Sequence, residues 1–290
     1  MSPSTILKPR YRGRLAPSPT GLLHLGHART FWIAQQRALA HGGALVLRNE
    51  DLDSARCKPE FVAAMLEDLR WFGFRWQEGP DCGGAFGPYN QSERRNLYFA
   101  ALEKLQANGA IYPCACSRKD ILGAAAAPHE NQDEPIYPGT CRPADGSKLK
   151  NNSALNWRFR AADGEAIEFT DGHFGSQRFV AGRDFGDFVV WRQDDAPAYQ
   201  LAVVVDDAAM EITEVVRGAD LLLSTARQIV LYRALGLKPP VFYHGPLVTD
   251  DSGIRLAKRH DSLSLRKLRE AGRTPEELRR SWEKAITCAR

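Results

Sequence analysis

Residues 13–27, GRLAPSPTGLLHLGH, leave this chain few ways to fold. Leu15 and Ala16 end a short apolar run that begins at Tyr11 and predicts a buried strand. Pro17 and Pro19 stop that strand, because each lacks a backbone N–H and fixes φ. Gly21 permits a tight turn, and the stretch from Ala28 to Ala40, free of Pro and Gly, predicts a helix with Phe31 and Trp32 as its first aromatic anchors. The order is therefore strand, Gly/Pro loop, helix, with the imidazoles of His24 and His27 at the helix start. A helix N-terminus carries unpaired N–H groups and partial positive charge, so it attracts phosphate. The two histidines add donors that can follow a phosphate as its charge changes. Gly26 has no side chain, so a flat ring such as adenine can approach the backbone there. A helix cap with a surface histidine is the plainer alternative; the Pro-Ser-Pro-Thr-Gly flank and the strand-to-helix setting favour phosphate.

The rest of the chain supplies the sheet that such a loop needs. Ala44 to Arg48 is a second apolar strand, ended by the acidic loop Asn49-Glu50-Asp51-Leu52-Asp53. Pro59 opens a helix to Phe72, and Ser92 is a candidate cap for a helix through Leu105, stopped by Asn108-Gly109. Strands separated by helices predict parallel βαβ units in an open sheet, with ligands beyond the carboxyl ends of its strands. After Tyr112 the composition shifts to Cys, Pro, Gly and Ala, with Ala124 to Ala127 a low-complexity patch. Short strands follow at 157–159, 167–169, 178–180 and 188–191. The α/β pattern resumes after Tyr199 with apolar runs Leu201 to Val205 and Ile212 to Val216, a helix from Ser224 to Leu235 and a strand at 241–243. Ser264 and Thr274 are plausible caps for two basic helices at the end. The expected organisation is a first half of a nucleotide-binding α/β domain at 1–112 and a small β-rich insertion at 113–192. The second half follows at 193–261, then a helical basic region at 262–290.

Bulk properties exclude several classes. With 43% hydrophobic and 26% charged residues, a chain of 290 residues can bury a large core plus an inserted module. Residues 1–8 read as a loose leader, and no run is apolar and long enough to span a bilayer, so cytoplasm is the expected compartment. A net charge of +4 is only a weak sign of a polyanionic partner. Six cysteines without a secretory signal point to thiols or metal rather than disulfides.

A second basic constellation, Gly253-Ile254-Arg255-Leu256-Ala257-Lys258-Arg259, follows the 241–243 strand. A solvated loop is the bland reading. A mobile Gly-containing loop at the sheet's far end can also carry Lys258 onto the phosphates held by His24 and His27. Charge builds on phosphate oxygens during phosphoryl or nucleotidyl transfer, and a preplaced ammonium stabilises it there.

These two signatures, at opposite ends of an α/β core with an insertion between, resemble class I aminoacyl-tRNA synthetases. The match is closer to the glutamyl-tRNA synthetase catalytic core, on residues 14–21 (RLAPSPTG), 48–53 (RNEDLD) and 216–221 (VRGADL). The resemblance covers nearly the whole chain. A full synthetase continues into a large anticodon-binding domain, whereas this chain stops soon after the Lys258 loop. It thereby resembles the stand-alone branch of the family, a catalytic core without that domain. The resemblance implies a Rossmann-like parallel sheet with an inserted zinc-binding module. It also implies tRNA-independent activation of L-glutamate with ATP and Mg²⁺, then transfer to the queuosine base at the wobble position of tRNA(Asp). A monomer is expected. Charging of a tRNA 3′ end by a truncated synthetase and a non-catalytic tRNA-binding module are the competing readings.

Site residues follow the same two routes. Glutamate presents two carboxylates and an ammonium, so its pocket needs fixed cations and a fixed anion. Arg14 and Arg217 suit forked bonds to carboxylates, Glu50 suits the ammonium, and Tyr199 can supply a hydroxyl. A mutual Arg14–Glu50 salt bridge and core packing of Tyr199 are the structural alternatives. The family pattern assigns Arg14, Ala16, Ser18, Glu50, Tyr199 and Arg217 to glutamate, and His24, Gly26, His27 and Lys258 to ATP. The Lys258 loop departs from the family's Lys-Met-Ser-Lys-Ser form, with Arg255, Ala257 and Arg259 replacing the first Lys and both serines.

Cys114, Cys116 and Cys141 form a third constellation, and three thiolates in a reducing compartment suit tetrahedral Zn²⁺. General zinc chemistry offers His129 as the fourth ligand; the family pattern implies Tyr137. The zinc would be structural, compensating for a small loop-rich core. Last, Arg266, Lys267, Arg269, Arg273, Arg279 and Arg280 make the terminal region basic. A solvated helix face paired with Glu270, Glu276 and Glu277 and a dock for an anticodon stem-loop are equally open.

Overall fold

A computed structural model describes residues 11–117, 120–121, 136–142, 155–247 and 264–287. The expected leader and the Ala124–Ala127 patch lie outside them. In chain order the elements are β1 (Arg12–Leu15), α1 (Leu25–Ala40), β2 (Ala44–Leu47), α2 (Pro59–Phe72), α3 (Arg95–Ala107), β3 (Ile111–Cys114), β4 (Asn156–Phe159), β5 (Ala166–Asp171), β6 (Gly175–Val180), β7 (Phe188–Trp191), α4 (Tyr199–Ala209), β8 (Glu214–Gly218), α5 (Leu222–Ala234), β9 (Val241–Gly245), α6 (Leu265–Glu270) and α7 (Pro275–Thr287). They group into two compact units. One comprises residues 1–93, 211–220 and 240–290; the other comprises 94–210 and 221–239. Among the described residues, no helix is long and apolar enough to cross a membrane.

The first unit is the parallel α/β half. β1 pairs in parallel with β2, and β8 with β9. β1 lies beside β8: the Thr213 N–H donates to the Arg12 carbonyl at 2.9 Å, and Arg14 Nη1 donates to the Val216 carbonyl at 2.7 Å. All four strands thus end at one edge. α1 buries Ala28, Phe31, Ala34 and Ala38, a stripe at helical spacing whose alanines allow close approach to the sheet. Arg37 of that helix forks onto Glu214 of β8 through Nε at 2.6 Å and Nη2 at 2.7 Å, and the Tyr11 hydroxyl donates to the same carboxylate at 2.8 Å. Pro59 opens α2 as expected, and Gly73, at φ 90°, ends it in the left-handed conformation that glycine adopts without strain. Phe72 stacks on Phe74 at 5.0 Å and on Trp282 of α7 at 5.6 Å, while Trp282 also meets Trp32 at 5.9 Å. The C-terminal helices are therefore part of this core. Both predicted caps hold: Ser264 Oγ accepts from the Lys267 N–H, and Thr274 Oγ1 from the Glu277 N–H at 3.3 Å.

Asp68 on α2 is an exception within this core. It is fully buried, neither carboxylate oxygen has a hydrogen-bond partner among the described residues, and the Arg269 guanidinium of α6 stands 3.9 Å away. Burial pushes its carboxyl up to about 6, with Arg269 and Arg266 opposing only in part. The native chain thus holds this proton more tightly than the unfolded chain. Asp68 adds stability below about pH 4, and that stability is lost as pH rises through about 6. Asp68→Asn is expected to raise the urea midpoint at pH 7.5 and to leave it unchanged near pH 4. A lower midpoint at pH 7.5 would mean that the distant guanidinium outweighs burial.

The second unit is richer in antiparallel structure. β3, β4 and β7 form a three-stranded antiparallel sheet, and β5 and β6 form a hairpin. The expected short strands are all present, and β3 is an additional one that the change in composition at Tyr112 concealed. The apolar run Leu201 to Val205 lies in α4, with Leu201, Ala202, Val203, Val204 and Val205 all buried. An apolar run this short carries no period, so burial on all sides suits a helix as well as a strand. One reading is corrected here. Ser92 does not cap α3, which starts at Arg95 after Arg94; instead its N–H and hydroxyl both bind the Asp51 carboxylate, at 2.8 and 2.7 Å.

Candidate functional site

Two sites are built from the singled-out residues, one in each unit. The first lies at the carboxyl edge of the parallel strands. Arg14 is the last residue but one of β1 and is 5% exposed; Arg217 is its counterpart on β8 at 4%. The loops that follow are tied to each other, because the Glu50 N–H donates to the Pro17 carbonyl at 3.0 Å and the Arg48 N–H to the Leu15 carbonyl at 2.8 Å. Ala16 and Ser18 sit in the first of these loops. Glu50 is nearly buried and pairs with the buried guanidinium of Arg48, Nη2 to Oε1 2.9 Å. Desolvating that pair makes its geometry firm, as a buried ion pair must be to repay its hydration. Arg217 Nε donates to His244 Nε2 at 3.1 Å, a bond that requires the unprotonated nitrogen of a buried imidazole.

At the start of α1, His24 is the residue before the first helical turn, and its N–H donates to His27 Nδ1 at 3.2 Å. His24 and His27 thus form the two arms of a capping box, with His27 exposed. A Cβ built on Gly26 meets nothing within 4 Å, so the space beside it is open. The chain leaves β9 at Gly245, is described as far as Leu247 and then again from Ser264, which bridges to His24, while the Leu265 N–H donates to the Leu23 carbonyl at 2.8 Å. Lys258, Arg255, Ala257 and Arg259 fall between these points, outside the described residues. Tyr199 belongs to the other unit, at the first turn of α4 and 40% exposed.

The second site is the cysteine cluster. Cys114 ends β3, Cys116 follows two residues on, and the segment 136–142 brings Tyr137 and Cys141. The three sulfurs lie within 4.8 Å of one another. Cys116 Sγ is 3.4 Å from Cys141 Sγ, and Tyr137 Oη is 3.4 Å from Cys114 Sγ and 3.5 Å from Cys116 Sγ. A tetrahedron with metal–sulfur bonds of about 2.3 Å and a metal–oxygen bond of about 2.0 Å has edges of about 3.8 and 3.5 Å, so these four donors fit a zinc-sized ion. His129 lies outside the described residues. Burial opposes ionisation of Cys141, but hydrogen bonds from Tyr137, the Ala115 backbone, Cys116 and Cys114 outweigh it and bring the thiol down to about 7. Burial lifts Cys116 to about 11 and raises the Tyr137 hydroxyl, whose bonds to the three cysteines push the same way.

The terminal basic residues are largely paired. Arg269 reaches Glu67 at 3.1 Å, Arg273 reaches Glu277 at 3.0 Å, and Arg279 pairs with Glu276. Sequence reasoning overlooked three polar residues: Arg48, Arg158 and His244. Each is a charged or polar side chain within a short apolar strand or at its end, and that mismatch is the signal that could have found them.

Similarity to known proteins can now be set beside this geometry. The sequence pattern of class I tRNA synthetases (E and Q), catalytic domain, matches residues 10–284. A glutamyl-Q tRNA(Asp) synthetase of Symbiobacterium thermophilum is 51% identical over 269 residues, which are 91% of this chain and 83% of that protein. A glutamate–tRNA ligase of Syntrophus aciditrophicus is 43% identical over 93% of this chain and 56% of its own length. The crystal structure of a glutamate-tRNA synthetase from Elizabethkingia anophelis superimposes with a TM-score of 0.75 at 30% identity, over 86% of this chain and 53% of that one. This chain thus spans about half the length of those last two relatives. From its parallel sheet edge, its sequence pattern and these relatives, the chain belongs to the class I tRNA synthetase (E and Q) catalytic-domain family and is an aminoacyl-tRNA ligase-type enzyme.

Proposed function

We propose that this enzyme activates L-glutamate with ATP, without needing tRNA, and transfers the glutamate to the queuosine base at the wobble position of tRNA(Asp). The observation that supports the reading is that Arg14, Glu50, Arg217 and the His24–His27 helix start belong to one unit and lie near or after the carboxyl ends of its parallel strands. The buried cations Arg14 and Arg217, with the buried anion Glu50 that Arg48 also holds, suit a substrate with two carboxylates and one ammonium. The choice of acceptor is supported by the higher identity to the glutamyl-Q tRNA(Asp) synthetase, 51% against 43% for the glutamate–tRNA ligase.

In this reading Arg14 and Arg217 bind the carboxylates, Glu50 holds the ammonium, and Tyr199 gives a hydroxyl. Ala16 and Ser18 contribute backbone groups or a hydroxyl. His24, Gly26 and His27 receive ATP. The α-carboxylate attacks the α-phosphate and pyrophosphate leaves, with Lys258 and the histidines stabilising the charge that builds on the phosphate oxygens. Mg²⁺ on the phosphates would neutralise part of that charge. A hydroxyl of the queuosine cyclopentene ring then attacks the activated carbonyl and AMP leaves. Most of the acceleration comes from positioning and fixed charge. Structural zinc is assigned to Cys114, Cys116, Cys141 and Tyr137, where it would hold together a loop-rich segment. The enzyme acts as a monomer in the cytoplasm.

The decisive experiment supplies glutamate, ATP and either tRNA(Asp) with queuosine, tRNA(Asp) without it, or tRNA(Glu). Pyrophosphate exchange is expected with no tRNA present, and glutamate transfer only to the queuosine-bearing tRNA. Transfer to the 3′ end of tRNA(Glu) would favour a truncated synthetase, and absence of exchange would favour a binding module.

A further inference from the structure

We propose that Arg158 is the positioning residue of the Cys114–Cys116–Tyr137–Cys141 centre, holding two of its four donors in place and offsetting the negative charge they carry around zinc. The inference rests on the zinc assignment above. Arg158 lies on β4 between Trp157 and Phe159 and is 5% exposed. Its Nε donates to Cys114 Sγ at 3.2 Å, its Cζ sits 4.1 Å from the centre of the Tyr137 ring, and its Nη1 donates to the Asp187 carbonyl at 3.2 Å. One planar group thus touches one donor through its edge and another through its face, and is itself fixed to the start of β7. Both attractions reward negative charge on the donors.

Burial makes this arrangement informative. A guanidinium cannot shed its proton in a protein, and removing one from water is costly unless an anion compensates. Asp187 meets Arg158 through its carbonyl oxygen, while its carboxylate serves Arg142, Tyr112 and the Ala161 N–H. Three thiolates and a neutral phenol around a divalent ion leave one net negative charge, which a single guanidinium balances. An aliphatic side chain at this strand position would bring no charge to compensate, so the buried cation is accounted for by the cluster beside it. Outer partners that orient metal ligands typically contribute 10–100-fold to affinity.

The test uses the full chain purified with zinc. Zinc affinity is measured by competition with a chromogenic chelator, and Co²⁺ is substituted to read its thiolate charge-transfer and d–d absorption, which report ligand set and symmetry independently of catalysis. Arg158→Met is expected to weaken zinc binding by about 10–100-fold and to alter the Co²⁺ bands. Arg158→Lys, which keeps the charge but lacks the planar fork, is expected to recover only part of the affinity. A folded Arg158→Met variant with affinity within twofold of the unsubstituted chain and unchanged bands overturns the proposal. Should the Met variant not fold, the Lys variant decides: parent-like affinity and bands overturn the proposal, and weaker binding with altered bands upholds it. The unsubstituted chain is measured first, and if it takes up neither zinc nor Co²⁺ the zinc assignment itself fails, and the role of Arg158 with it.

Discussion

Replacing Lys258 by alanine is expected to lower glutamate-dependent ATP–pyrophosphate exchange by about 10²–10³-fold, the usual loss when one transition-state donor is removed. The argument combines sequence with the anchoring of the flanking residues. Lys258 lies on the only stretch joining the carboxyl end of β9 to Ser264, and Ser264 is bridged to His24. Both ends of that stretch therefore start from the edge where His24 and His27 sit. In the proposed mechanism Lys258 stabilises the charge that builds as pyrophosphate departs, which would lower the barrier without tightening ground-state binding. The loss should thus fall on kcat and kcat/KM alike, with little change in the KM for ATP. Lys258→Arg, which keeps the charge on a longer fork, should retain part of the rate. Unaltered exchange in Lys258→Ala would remove this residue from the chemistry, and a change confined to KM would make it a binding group only.

The largest expected stability effect lies in the other unit. Asp206 of α4 is fully buried, receives Arg94 Nε at 2.6 Å and the Tyr98 hydroxyl at 2.9 Å, and thereby joins α4 to α3 and the residue before it. Arg94 is 2% exposed and Tyr98 is fully buried. Asp206→Ala leaves that guanidinium buried without its carboxylate, which typically costs about 3–5 kcal/mol. For a domain of this size such a loss lowers the thermal midpoint by roughly 10 °C or more. The double variant Asp206→Leu with Arg94→Met removes both charges and should regain most of the loss, because apolar replacement of a whole buried pair is often neutral. A cost below about 1 kcal/mol in the single variant, or a double variant no better than the single, would show that the network contributes little.

What the sequence made legible, and what it hid, divides along physical lines. Where a local rule acts alone, the reading holds. Pro59 opens α2, and Ser264 and Thr274 accept from the turns they precede. Ala44 to Leu47 is a strand beside Arg12 to Leu15. Where several partners compete for one side chain, the local rule loses. Ser92 has the composition of a cap but is taken by Asp51, forty-one residues away. Leu201 to Val205 is legible only as an apolar run, and its helical form follows from burial in α4. The three clustered cysteines were visible from spacing, whereas Arg158 beside them was not, since its partners come from β3, the 136–142 segment and the residue before β7. Pairings of that sequence separation are written in the fold and not in any window of the chain.

The interrupted first unit has a consequence for how the molecule is made. Leu15 and Leu47 are synthesised early, yet their buried neighbours include Val216, Leu265 and Trp282. A ribosome delivering the chain from its N-terminus makes residues 94–210 before any of those neighbours exists, and residues 221–239 before Leu265 and Trp282. Until the last helix emerges, the part of this cluster that Leu265 and Trp282 complete stays open to water and to other nascent chains. The late arrival of the partner, and not the strength of any contact, sets the interval in which this protein is most vulnerable to aggregation.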